Sequence, residues 1–77
     1  MTTITLFTTA GCHLCDLAEQ RLNQLSTSHN ITIIKTEIGD DDQLIERYGT
    51  IIPVLKFANN NELNWPFELQ DIIKKIG

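Results

Sequence analysis

Two hydrophobic rhythms alternate along the chain. Residues 2–8 are rich in β-branched side chains around an apolar centre, Ile4-Thr5-Leu6-Phe7, and predict a strand. After a short turn, Thr9-Ala10-Gly11, the period lengthens. Leu14, Leu17, Ala18, Leu22 and Leu25 fall on one face of a helix, with Asp16, Glu19, Gln20 and Asn23 opposite. Residues 26–30 form a polar loop, and residues 31–38 a second β-branched strand closed by Gly39-Asp40. Asp40 followed three places later by Gln43 reads as a capping box for a short helix over residues 41–48, with Gly49 as its left-handed C′ residue.

The apolar run 51–57 carries Pro53 near its start. Proline is tolerated at the first residue of a strand, so this third strand should begin at Pro53 or Val54. Asn59-Asn60-Asn61 predicts a hairpin turn, and residues 62–65 a fourth strand. Pro66 suits the first turn of a last helix, whose apolar face is Phe67, Leu69, Ile72, Ile73 and Ile76. The order is β-α-β-α-β-β-α. A helical crossover makes the first two strands parallel and right-handed, and the closing hairpin is antiparallel. The expectation is an α/β fold, one domain over residues 1–77, with a four-stranded mixed sheet and helices on both faces.

Composition narrows the function. A chain of 77 residues, 42% hydrophobic and 21% charged, suits a small globular domain near the lower limit for a self-sufficient core. Its net charge is −4, and its six basic residues are scattered, with only Lys74 and Lys75 adjacent. Nucleic acid is therefore not an expected partner, because phosphate contacts need clustered cations. No run approaches the length of a membrane span, and the start MTTITLF lacks the basic segment of a signal peptide. These features point to a cytoplasmic monomer. There thiols are kept reduced, and a lone CxxC is not expected to be a permanent staple.

That pair, Cys12 and Cys15 in AGCHLCD, contains the only cysteines of the chain. It falls where the first strand gives way to the first helix. A helix N-terminus has free N–H groups and partial positive charge, so a thiolate there is stabilised and its pKa falls from about 8.5 into the range of about 3.5–7.5. One thiol can attack a disulfide and the other resolve the mixed disulfide. Three readings stand at this point. The first is a redox pair, the signal that CxxC gives in a βα context. The second is metal. Four ligands within the chain would require His13, strained between the cysteines, and His29, roughly 20 Å away along the helix. A cluster shared between two chains avoids that difficulty. The third is that both cysteines simply pack. His13 could favour the Cys12 thiolate or be a solvated side chain, and Asp16 suits the first-turn helix dipole.

Further residues carry a resemblance. Cys12-His13-Leu14-Cys15-Asp16, residues 48–55 (YGTIIPVL) and residues 62–67 (ELNWPF) together resemble the small glutaredoxin-like proteins of the thioredoxin-like superfamily, over essentially the whole chain. The resemblance implies a thioredoxin-like fold and a thiol–disulfide oxidoreductase acting in cell redox homeostasis. It implies a nucleophilic Cys12, a resolving Cys15, a cis Ile52-Pro53 bond against the CxxC, and an Ile52 backbone that pairs with an extended substrate. Two other roles are consistent with the same fold: a non-catalytic peptide-binding module built around Pro53, and a dimeric iron–sulfur carrier ligated by Cys12 and glutathione.

The chain departs from glutathione-dependent glutaredoxins at three places. Thr9 stands three before the first cysteine, where they usually have a basic residue. Asn64-Trp65-Pro66-Phe67 replaces their Gly-Gly-x-Asp-like turn, and Ile51 stands where relatives often carry Arg. Each change removes a partner for a glutathione charge; Arg47 and Lys56 are the nearby cations that could substitute. No tightly bound cofactor is expected. The expected partners are a protein or small-molecule disulfide and a recycling system of thioredoxin or glutathione type.

Overall fold

The protein is described by a computed structural model covering residues 2–76. Four strands and three helices follow in the order β1 (Thr2–Thr8), α1 (His13–Ser26), β2 (Ile31–Glu37), α2 (Asp42–Tyr48), β3 (Val54–Phe57), β4 (Glu62–Asn64) and α3 (Leu69–Ile76). The strands form one mixed sheet ordered β2-β1-β3-β4. β1 pairs in parallel with β2 (Thr2 with Ile31, Thr8 with Glu37) and antiparallel with β3 (Ile4 with Phe57, Phe7 with Val54). β4 closes the sheet as the antiparallel partner of β3.

Strand alternation sorts the apolar side chains onto two faces. Ile4, Leu6, Leu55 and Phe57 face the larger core, with Ala18, Leu22 and Leu25 of α1, Phe67, and Ile72 of α3. Phe7 and Val54 face the smaller one, with Ile38 and Tyr48. On that side the rings of Phe7 and Tyr48 stack at 4.3 Å, and the Tyr48 hydroxyl donates to Glu62 at 2.6 Å. That bond ties the end of α2 to β4. Burial, and then the Glu62 carboxylate as acceptor, raise the Tyr48 pKa.

Several local expectations are corrected. The cap of α2 is Asp41, not Asp40: its Oδ1 accepts from the Gln43 and Leu44 N–H groups, and an N-cap must precede those amides by two and three residues. Gly49 is right-handed (φ −57°), because the chain winds on and the Ile51 and Ile52 N–H groups both reach the Tyr48 carbonyl. Pro66 does not open the last helix. The Trp65-Pro66 bond is cis, and α3 starts three residues later. Asp71 reaches back to accept the Glu68 N–H at 2.9 Å, the reciprocal half of a capping box, which fixes the start after Glu68. Trp65 lies beyond β4. It packs partly buried on the larger core, edge-on to Phe67, with the Arg21 guanidinium over its ring.

Candidate functional site

The site grows from the end of β1. Ile38 N–H holds the Thr8 carbonyl, the last backbone link between β1 and the chain leaving β2. The chain then makes a four-residue turn, with Cys12 N–H donating to the Thr9 carbonyl at 3.3 Å. Gly11, third in that turn, is left-handed (φ 80°), the conformation a type II turn assigns to glycine. This geometry delivers Cys12 in extended conformation as the N-cap of α1. Its Sγ accepts the Cys15 N–H at 3.2 Å, where an N-cap serine or aspartate would place an oxygen.

The two cysteines differ sharply in environment. Cys12 is half-buried and Cys15 is 2% exposed, within the core-facing side of α1. They are joined by a disulfide, with Cα atoms 5.2 Å apart. The inward place in the first turn is taken by Cys15. Leu14, expected on the buried stripe, is 43% exposed, because the two residues flank that stripe from opposite sides and only one side turns inward. His13 and Asp16 are exposed neighbours of the pair.

β3 brings the second part of the site. Its pairing with β1 sets Val54 opposite Phe7, so Pro53 lies at the sheet end from which the CxxC departs. The Ile52-Pro53 bond is cis, Pro53 is fully buried, and its carbonyl accepts from Trp65 N–H. The Ile52 N–H donates to the Tyr48 carbonyl at 3.0 Å, so it is not free to pair with a substrate strand. Ile51 is exposed.

Beside the turn lies a cleft of about 300 Å³ lined by residues 8–11, Asp16, Lys35 and Glu37. Glu37, at the C-terminal end of β2, closes it with a carboxylate that accepts from Ala10 N–H at 3.0 Å and Gly39 N–H at 2.7 Å. The Thr9 hydroxyl also donates to it, and that bond, with the Gly39 and Ala10 amides, holds its carboxyl below the usual carboxylate range. Lys35 is occupied by Glu19 at 3.2 Å. Sequence reasoning missed Glu37. A glutamate ending a strand has no local signature, and its turn partner Ala10 is 27 residues away. Of the candidate cations, Arg47 lies over the Tyr48 ring and pairs with Glu62 at 3.9 Å. His29, at the far end of α1, bonds Ser28. Among the described residues no three His, Cys, Asp or Glu side chains converge as a metal site, and no helix is long and apolar enough to cross a membrane.

A CxxC capping the crossover helix of a βαβ unit, at the same end of the sheet as a cis-proline that leads a β-hairpin, defines a thioredoxin-like disulfide protein. Within that class, residues 3–77 match the glutaredoxin-like domain family (DUF836), and the chain belongs to it. No curated protein matches the chain. Among solved structures, the X-ray structure of the structural-genomics protein XcR50 from X. campestris is 33% identical over 95% of this chain and 93% of its own, with a TM-score of 0.83. Protein Ne2328 from Nitrosomonas europaea is 23% identical over 97% and 89%, with a TM-score of 0.82. The fold extends to a mutant thioredoxin from Halobacterium salinarum at 19% identity, over 97% of this chain and 70% of that one, with a TM-score of 0.70.

Proposed function

We propose that this protein is a cytosolic thiol–disulfide oxidoreductase. The observation that carries the reading is the asymmetry of the pair: a half-buried Cys12 Sγ bonded to the Cys15 N–H, and a buried Cys15 behind it. In the reduced protein the free amides of the first turn favour a Cys12 thiolate. That thiolate attacks one sulfur of a substrate disulfide and expels the other as a thiolate. Cys15, once deprotonated, attacks the Cys12 sulfur of the mixed disulfide and releases the second substrate thiolate. The substrate gains two electrons, and the protein is left with the Cys12–Cys15 disulfide. A dithiol or glutathione-type reductant returns it to the start.

The substrate we propose is a protein disulfide rather than a glutathione adduct. Glutathione is recognised through its charges, and here Thr9 is committed to Glu37 while Lys35 is paired with Glu19. Asp16 and Glu37 make the cleft beside the turn predominantly anionic. Ile52 supplies a backbone carbonyl for an extended peptide, and the buried Pro53 behind it fixes the direction of that backbone. His13, exposed between the cysteines, is the side-chain contact we propose for it.

The test is exchange on a mixed disulfide. Cys15→Ser should still attack and should accumulate a trapped adduct. If it fails to attack while Cys12→Ser succeeds, the roles are reversed. Recycling by thioredoxin reductase and thioredoxin, run beside recycling by glutathione, should favour the former. Turnover of a glutathione mixed disulfide equal to or faster than that of a protein disulfide would overturn the substrate assignment. Full inertness of the wild-type dithiol would instead support the peptide-binding reading.

A further inference from the structure

We infer that Glu37 is a positioning residue for Cys12: its carboxylate, fixed at the end of β2, clamps the turn that carries Cys12 to the helix N-terminus and thereby sets the reactivity of that thiol. This deepens the proposed redox function and rests on it for its biological meaning.

The geometry is a three-donor clamp. One carboxylate oxygen takes the Ala10 N–H, the other takes the Gly39 N–H, and the Thr9 hydroxyl donates as well. Hydrogen bonds to an ionised acceptor are shorter and stronger than neutral ones. Two of the three donors belong to the first two residues of the turn that closes with Cys12 N–H on the Thr9 carbonyl. Among the described residues, Glu37 is the one side chain from outside this turn that hydrogen-bonds it. The backbone makes room for the clamp. A Cβ at Gly39 would lie 2.8 Å from the Glu37 Oε2 and 3.3 Å from the Thr9 Oγ1. A β-carbon at position 39 therefore displaces the carboxylate.

The clamp reaches the chemistry through position. Cys12 Sγ meets the Cys15 N–H at 3.2 Å because the turn sets Cys12 in the N-cap position. Loosening the turn weakens that bond, so the reduced Cys12 thiolate loses stabilisation and its pKa rises. Glu37 also carries a negative charge, and charge alone acts in the opposite sense. Removing an anion near a thiol lowers the thiol pKa. Positioning and charge therefore predict shifts of opposite sign at Cys12.

The experiment uses the full reduced chain and two variants, Glu37→Gln and Gly39→Ala. Glutamine offers one acceptor oxygen in place of two and sets an NH₂ where a backbone N–H pointed. The alanine variant keeps the charge and disturbs the clamp. The Cys12 pKa is read from thiolate absorbance against pH, and from the pH profile of alkylation. We expect both variants to raise it by about half a unit, which moves the pH profile of alkylation up by that amount and slows alkylation about threefold at pH values below the pKa. A lower Cys12 pKa in Glu37→Gln would overturn the proposal in favour of a through-space charge. An unchanged pKa with a lowered Tm would overturn it in favour of a purely structural brace. None of these readouts needs a substrate. If wild-type Cys12 proves inert in exchange, the function falls, and the variant-to-wild-type difference still decides the role of Glu37.

Discussion

Two turns at opposite ends of the sheet solve the same local problem by different means. The hairpin between β3 and β4 reverses the chain with Asn60 in the left-handed region (φ 69°), and the turn before Cys12 does so with Gly11 (φ 80°). Each has a backbone N–H satisfied by a side-chain oxygen. At the hairpin, Asn61 N–H donates to the Asn59 amide two residues away, and Asn60 N–H closes on Phe57. At the site, Ala10 N–H is held by Glu37 from across the sheet. The hairpin is self-contained. The functional turn depends on the alignment of β1 with β2, so its geometry is correct only once the sheet has formed. A cysteine placed on such a turn is positioned by the whole fold rather than by a few neighbours.

The largest expected contrast is chemical. Cys12→Ser, at the closing residue of the site turn, should abolish disulfide exchange, whereas no substitution in residues 58–61 should change the rate measurably. A hairpin variant that lowers exchange without unfolding would break the separation of the two ends. Next in size is backbone strain. Gly11→Ala puts a β-carbon into open space but forces it into the left-handed region, at about 1–2 kcal/mol in denaturant unfolding. Asn60→Gly, with the same handedness, should stay within about 0.5 kcal/mol of wild type. A similar loss at both positions would show that the turns are equally strained.

Smaller still is the loss of the local brace. Asn59→Ala removes the acceptor for Asn61 N–H and should cost about 0.5–1.5 kcal/mol, with Cys12 alkylation unchanged. The smallest effect is a titration. Folding lowers the Glu37 pKa from 4.5, so its contribution is present above about that value and is lost as pH falls through the folded pKa. Acidification should therefore move the Ala10 and Gly39 amide resonances together, while Asn61, held by a non-titrating amide, stays still. Coincident shifts at all three would dissolve the distinction. At the alkaline end Tyr48 acts in the other sense. Its pKa is raised by burial and by Glu62, so its contribution is intact below about 10 and is lost as pH rises through the folded value. Tyr48→Phe should remove that alkaline loss from the pH dependence of unfolding.

The sequence by itself determined the order of elements, the position of β3 after Pro53, the hairpin at the asparagines and the placement of Cys12 at the start of α1. All of these are encoded within a few residues: alternation for strands, a 3.6-residue stripe for helices, and chemistry specific to proline, glycine and asparagine. Its errors were also local, in choosing between adjacent candidates. Asp40 and Asp41 both qualify as a cap, and Pro66 suits a first helical turn until Asp71 is seen to hold the Glu68 amide. Leu14 and Cys15 both border the apolar stripe, and only packing against the sheet decided that Cys15 would be buried and Leu14 exposed. The clamp of Glu37 and the bond of Tyr48 to Glu62 lay beyond any local pattern. Each joins residues whose proximity comes from strand pairing and helix packing, and a polar side chain at a strand end carries no sign of the distant group it will hold. Periodicity records which face a residue turns to the core, and tertiary structure decides which polar groups meet across it.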